Sequence, residues 1–168
     1  MIVIVFGLPG SGKTYFATRL ARKMGAAYAG SDAVRMRFLK HRSYSEMEKR
    51  LIYNNLLVQV AAAVKEKKDL VVDGTFYNEA IRNIFIDEIE GKAMYKLIEV
   101  TAPEAFIKER LSRRRANSDA DYSVYLKIRD QWQPCLKEHM SVESTLPIEE
   151  MLQRAMYYLL GDYDKVRD

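Results

Sequence analysis

The stretch Gly7-Leu8-Pro9-Gly10-Ser11-Gly12-Lys13-Thr14 constrains this chain more than any other part of its sequence. It satisfies the pattern G-x-x-x-x-G-K-[ST], follows the apolar run Met1 to Phe6, and precedes Phe16, Leu20 and Met24, which recur at helical spacing. Glycines in this pattern let successive backbone N–H groups turn inward around an anion, and the helix that follows aims the positive end of its dipole at the same point. Lysine adds a charge that reaches terminal phosphates, and the threonine hydroxyl is a hard oxygen ligand for Mg²⁺. The octapeptide therefore calls for a strand, a phosphate-binding loop and a helix in that order. It marks Gly7, Pro9, Gly10, Ser11, Gly12, Lys13 and Thr14, with Tyr15 beside them, as a nucleotide-binding segment. A loop of this kind says what is bound and leaves open what is done with it.

The apolar pattern elsewhere repeats the alternation of strand and helix. Asp69 to Val72 and Tyr95 to Thr101 read as strands of a parallel sheet, and Met140 to Glu143 as a weaker one. Ile52, Leu56, Val60 and Val64 share one helical face; Ile81, Ile84, Phe85 and Ile89 share another; Ile148, Met151, Leu152, Ala155, Met156, Leu159 and Leu160 form a third. Ser45 with Glu48 fits a capping box, Ser118 with Asp121 fits a helix cap, and Pro103 and Pro147 stand where first-turn prolines belong. The pattern predicts a doubly wound α/β fold with helices on both faces of a parallel sheet. With 168 residues, no repeat and no linker, residues 1–168 are expected to form a single domain.

Composition narrows the function classes. Cys135 is the only cysteine, so neither an internal disulfide nor a cysteine-based zinc site is available, and it has no paired base. His41 and His139 are isolated in the sequence, which excludes a histidine metal cluster and a nucleophilic triad. The longest apolar run is Met1 to Phe6, far below the roughly 20 residues of a membrane helix. No signal-peptide pattern surrounds that run, and the expectation is a cytoplasmic monomer without a membrane partner. The net charge of +4 is unevenly spread: residues 13–50 hold ten Lys/Arg against three Asp/Glu, and residues 108–129 hold seven against three. Two basic segments in an otherwise acidic chain point to an anionic ligand or to solvated helix faces. The guanine-reading Asn-Lys-x-Asp is missing, and the small size favours a phosphoryl-transfer kinase with a mobile lid over a motor.

Beyond the loop, Ser31-Asp32-Ala33-Val34-Arg35, Val71-Val72-Asp73-Gly74-Thr75-Phe76, Ala102-Pro103-Glu104 with Glu109-Arg110-Leu111, and Ser118-Asp119-Ala120 leading to Trp132-Gln133-Pro134 complete a recognisable series. In these blocks the chain resembles the AAA_33-type P-loop kinases, relatives of polynucleotide 5′-hydroxyl kinases and zeta toxins. The resemblance implies a P-loop NTPase fold of the adenylate-kinase-like class. Its parts would be a five-stranded parallel sheet in the order 2-3-1-4-5 and an arginine-rich lid. It also implies ATP and Mg²⁺, with transfer of the γ-phosphoryl group to an acceptor hydroxyl. The acceptor would be a nucleic-acid 5′-hydroxyl, for which Arg35, Arg37, Lys40 and Arg42 would track a backbone, or a small molecule such as a metabolite or nucleotide sugar, with the zeta-toxin reading resting on His41 to Tyr44. A nucleotide-dependent switch without an acceptor is the alternative from another class.

The resemblance also assigns roles. Asp32 would be the general base toward the acceptor hydroxyl, with a helix cap or a place in the outer shell of the metal as alternatives. Arg35 would contact the acceptor or the moving phosphate. Asp73, at the end of an apolar strand, would join Thr14 in serving Mg²⁺. Thr75, Asn78 and Arg82 would line the acceptor side, against a reading in which Asn78 caps a helix and Arg82 is solvated. Thr75, Phe76 and Tyr77 replace the Phe-Pro-Arg of adenylate kinases, which argues against a nucleoside monophosphate acceptor. Arg110 would lie against adenine and Arg114 would reach the phosphates on lid closure, while some of Arg113, Arg114 and Arg115 would stay in solvent. Trp132 is read as core or base-edge packing rather than as a nucleic-acid stacking platform.

Overall fold

In the computed structural model the described residues are 1–38, 45–113 and 121–161. Five strands, β1 (Ile2–Phe6), β2 (Ala27–Gly30), β3 (Leu70–Gly74), β4 (Tyr95–Thr101) and β5 (Met140–Glu143), form one sheet in the order β2-β3-β1-β4-β5, and every neighbouring pair is parallel. This is the order that the resemblance implied. The helices are α1 (Lys13–Met24), α2 (Ser31–Phe38), α3 (Glu46–Lys65), α4 (Glu79–Ile89), α5 (Glu104–Ser112), α6 (Tyr122–Asp130) and α7 (Ile148–Leu160).

The unbroken apolar character of β1 follows from its central position, where both faces of a parallel sheet are covered. Ile2, Ile4 and Phe6 point into a core with Ile52, Leu56 and Val60 of α3 and Phe85, Ile86 and Ile89 of α4. Val3 and Val5 point the other way, onto Phe16 and Leu20 of α1 and Met151, Leu152, Ala155 and Leu159 of α7. Trp132 stacks on Phe6 at 6.2 Å in the first of these cores, as packing rather than as an exposed platform.

The register carries the chemistry to one edge. Val5 and Gly30 both lie opposite Asp73, and Phe6 lies opposite Gly74. The strands thus end together beside the loop that starts at Gly7, at the carboxyl edge where open α/β sheets bind ligands.

Several sequence expectations shift. The strand read as Asp69 to Val72 runs instead over Leu70–Gly74, and Asp69 sits outside it, paired with the N-terminal ammonium of Met1. Pro103 and Pro147 occupy the caps of α5 and α7, one position before the first turn. Asp121 caps α6 by accepting from the Val124 N–H at 3.0 Å, while Ser118 lies outside the described residues. Ser45 caps α3 by accepting from the Glu48 N–H at 3.2 Å, but the Glu48 carboxylate is buried against Arg35, a charged partner that outweighs a capping amide.

The largest correction concerns α4. Ile84 is 53% exposed and Arg82 is 1% exposed, so the buried face is Arg82, Phe85, Ile86 and Ile89, and Arg82 is not solvated. Its guanidinium donates to the Phe76 carbonyl at 2.8 Å and to the carbonyls of Gln133 and Pro134 at 2.8 and 3.0 Å, and it lies over the Phe6 ring. The Gln133 N–H donates to the Tyr77 carbonyl at 2.8 Å, and its side-chain oxygen accepts from the Glu79 N–H at 2.9 Å. One buried cation therefore ties the segment after α6 to the turn before α4. Arg82→Met, similar in length but without donors, is expected to cost on the order of 3 kcal/mol by leaving these carbonyls unsatisfied. Urea unfolding checks it, with a lower midpoint and an unchanged slope as the expected result.

Candidate active site

The loop leaves β1 at Gly7 and enters α1 through Gly12, which caps the helix at φ 93°. That left-handed conformation strains any residue with a Cβ. A Cβ at Gly12 would also come within 3.1 Å of Ser144 and 3.4 Å of the Arg110 guanidinium, so the loop is packed from behind. Arg110 holds it there. Its Nη1 donates to the carbonyls of Gly10 and Ser11 at 3.3 and 3.2 Å and to Ser144 Oγ at 2.7 Å, and its Nη2 donates to the Ser144 carbonyl at 3.0 Å. The resemblance implies that Arg110 lies against adenine; its guanidinium hydrogen-bonds the loop backbone and lines the cleft. Arg110→Ala is expected to weaken nucleotide binding about tenfold, because the loop must then be ordered at the expense of binding. Calorimetric titration checks it.

Lys13 is buried and rests with Nζ 3.4 Å from the Leu8 carbonyl, folded over the loop it serves. Tyr15 is half-exposed in the cleft wall, its ring 3.4 Å beneath the Arg19 guanidinium. Among the described residues, two buried side-chain oxygens have no hydrogen-bond partner: Ser11 Oγ in the loop and Asp73 Oδ1 at the end of β3.

Asp73 combines one such oxygen with one that accepts two hydrogen bonds. Its other oxygen, Oδ2, accepts from Thr14 Oγ1 at 2.6 Å and from the Tyr28 hydroxyl at 3.0 Å. Burial raises its carboxyl above the usual range, against the opposing pull of the Lys13 charge and the Thr14 hydrogen bond. Burial, followed by the Asp73 charge, pushes the Tyr28 phenol far above its ordinary value, so it remains a donor. A buried carboxylate oxygen with no donor, beside the Thr14 hydroxyl, is a set of hard oxygens suited to Mg²⁺ or to its bound water. The residues present fit the ion that the loop motif implies.

Asp32 and Arg35 line the same cleft. Because α2 starts at Ser31, directly after β2, Asp32 sits in the first helical turn at the rim of the sheet. Arg35, one turn on, donates to Asp32 Oδ1 at 2.8 Å and through Nε to Glu48 Oε1 at 2.7 Å. The turn after β3 completes the wall. Phe76 adopts φ 46°, an unusual conformation for a bulky residue, and is gripped from two sides: its N–H donates to the Tyr53 hydroxyl at 3.0 Å and its carbonyl accepts from Arg82. The strained turn presents Thr75 and Tyr77 to the cleft. Asn78 is the cap of α4, accepting from the Ile81 N–H at 2.9 Å, and neither it nor Arg82 lines the cleft.

The structure thus brings Pro9, Gly10, Gly12, Lys13, Thr14, Tyr15, Asp32, Arg35 and Arg110 around one cleft of about 1150 Å³, with Asp73 buried behind two of its lining residues, Thr14 and Tyr28. Arg113 is exposed and paired with Glu109, and Arg114, Arg115, Lys40 and His41 to Tyr44 lie outside the described residues. His139, isolated in sequence, has Glu99 3.4 Å from its Nε2, yet no group of three potential metal ligands of the His, Cys, Asp or Glu type occurs among the described residues. Cys135 is partly buried against the first core. Among the described residues no helix is long and apolar enough to cross a membrane. Sequence reasoning missed Tyr28, Glu48, Tyr53 and Ser144. Only the buried charge of Glu48 left a trace, and it read as a cap.

Comparison with known proteins agrees with this architecture. The model of the AAA_33 family, described as an AAA domain, matches residues 2–136. No curated protein matches in sequence. Among solved structures, a gluconokinase from Sinorhizobium meliloti 1021 superposes with a TM-score of 0.76 at 16% identity, over 98% of this chain and 94% of that one. An unliganded sugar kinase from Janibacter sp. HTCC2649 gives 0.75 at 18% identity, over 94% and 93% of the two chains. A chain of the Pnkp1/Rnl/Hen1 RNA repair complex gives 0.65 at 20% identity, over 77% of this chain and 43% of that one. The shared fold is the P-loop NTPase fold of the adenylate-kinase-like class.

Proposed function

The chain belongs to the AAA_33 family, and from that premise we propose that it is a kinase that transfers the γ-phosphoryl group of ATP to the hydroxyl of a small polar acceptor. The observation that carries the reading is that one cleft is lined both by the phosphate loop, with Lys13 and Thr14, and by the Asp32 carboxylate. Asp32 accepts the acceptor proton as the hydroxyl oxygen bonds to the γ-phosphorus. The bond from that phosphorus to the β,γ-bridging oxygen breaks, and ADP leaves. Lys13 and the loop N–H groups hold the charge that shifts onto the leaving oxygens. Thr14 and Asp73 would hold Mg²⁺, which would supply charge neutralisation to the phosphates when bound. Arg35 orients Asp32 through their ion pair.

The size of the acceptor is argued from the cations. A backbone-tracking surface needs arginines and lysines that are free for phosphates. Among the described basic residues that line the cleft beside Lys13, Arg35 is engaged by Asp32 and Glu48, Lys49 by Glu46 and Arg110 by the loop carbonyls, and Arg37 lies over the Phe38 ring. The polynucleotide reading draws its support from the fold shared with the RNA repair chain and from the basic composition of residues 13–50.

The test is transfer from labelled ATP to a panel of sugars, sugar acids, nucleosides, nucleotide sugars and 5′-hydroxyl oligonucleotides. Label in one or more small hydroxyl compounds, with little dependence on salt, is expected. Label in oligonucleotide ends, with a steep salt dependence, would transfer the assignment to the polynucleotide class. Label only in free phosphate for every acceptor would replace the kinase by a nucleotide-driven switch.

A further inference from the structure

Tyr28 belongs to no motif, yet the geometry around it is specific. It stands on the edge strand β2, two residues before Gly30, so both lie on the same face of the sheet. Gly30 pairs in register with Asp73. The Tyr28 ring lies forward along the strand, over Gly30, and places its hydroxyl 3.0 Å from Asp73 Oδ2. A Cβ at Gly30 would fall 2.8 Å from Cζ and 3.2 Å from Cε1 of that ring, so the absence of a side chain at Gly30 is what lets the phenol reach. Gly30 has no need of glycine for its backbone, since the positive-φ glycines of the chain are Gly7, Gly10, Gly12, Gly25 and Gly91.

Two donors, Thr14 and Tyr28, therefore converge on one oxygen of the carboxylate and leave the other, Oδ1, buried and bare. A carboxylate held by one donor swings about its Cβ–Cγ bond. Two donors arriving from different elements fix the plane of the group. We propose that Tyr28 is a positioning residue for the metal site: its hydroxyl, together with that of Thr14, turns the Asp73 carboxylate so that Oδ1 is presented to the divalent cation of the bound nucleotide. This rests on the reading of Asp73 as the carboxylate that serves Mg²⁺. Outer-shell partners of this kind typically change metal affinity by about 10-fold or more when removed.

The experiment compares binding of a non-hydrolysable ATP analogue with and without Mg²⁺, by calorimetry, in wild type, Tyr28→Phe, Gly30→Ala, the double variant and Asp73→Asn. Manganese paramagnetic resonance on the nucleotide complexes gives a second readout. Tyr28→Phe keeps the ring and loses the donor. Its metal-free affinity is expected within about twofold of wild type, and the gain in affinity on adding Mg²⁺ is expected to shrink roughly tenfold. Gly30→Ala displaces the same hydroxyl and should lose the same gain, and the double variant should lose no more than either single one. A full Mg²⁺ gain in Tyr28→Phe, whether or not its melting temperature falls, would reduce Tyr28 to packing and overturn the proposal. If the gain survives there but disappears in Asp73→Asn, Tyr28 alone is misassigned; if it survives in Asp73→Asn as well, the metal reading of Asp73 falls and takes the proposal with it.

Discussion

Lys13→Ala abolishes phosphoryl transfer while nucleotide binding persists: this is the expected outcome, with kcat down by roughly 10³-fold or more and affinity weakened only about tenfold. The asymmetry follows from what remains after the truncation. The loop N–H groups and the α1 dipole still surround the phosphates, so ground-state binding keeps most of its donors. Among the described residues, the Arg110 guanidinium beside the loop is committed to Gly10, Ser11 and Ser144 and is not expected to replace the lost charge. Single-turnover transfer measured beside equilibrium binding separates the two effects. Wild-type transfer by the variant would contradict the assignment of the loop.

Asp32→Asn is expected to lower kcat by about 10²- to 10⁴-fold at unchanged affinity for ATP·Mg²⁺, because the amide keeps the shape of the side chain but cannot accept a proton. The position supports the prediction: Asp32 lines the cleft, remains partly exposed, and is steadied by Arg35. A parallel loss of ATP·Mg²⁺ affinity would move Asp32 to the metal. Unimpaired turnover would leave it only the part of a first-turn acid that suits the helix dipole of α2. Titration with and without Mg²⁺, paired with kcat, distinguishes the three.

The phosphate loop and β1 were legible because their requirements are local. Glycine at a left-handed cap, a lysine and a hydroxyl in fixed order, and an apolar run covered on both faces all appear in consecutive letters. The edge strand β2 was not, since Ala27-Tyr28-Ala29-Gly30 has neither apolar density nor alternation and acquires strand character only by pairing with β3. Asp73 was found by its place at a strand end, but the donors that orient it come from residues 14 and 28 and are joined only by folding. The stripe on α4 was misjudged at Ile84 for a similar reason. Apolar spacing favours isoleucine inward, whereas the Phe76 carbonyl of the neighbouring turn and two carbonyls of the distant 133–134 segment draw the guanidinium at position 82 into the interior.

That buried guanidinium bears on how the chain can vary through descent. Arg82 answers carbonyls on both Phe76 and the Gln133-Pro134 pair, and lysine, with a compact point charge in place of a planar fork, does not span the two sides. Single-step replacement is therefore closed in either direction: losing the arginine strands the carbonyls, and reshaping the 133–134 segment strands the arginine. Among relatives that diverge to the identities seen here, an arginine at position 82 and the backbone path of residues 133–134 are expected to be kept or lost as a unit.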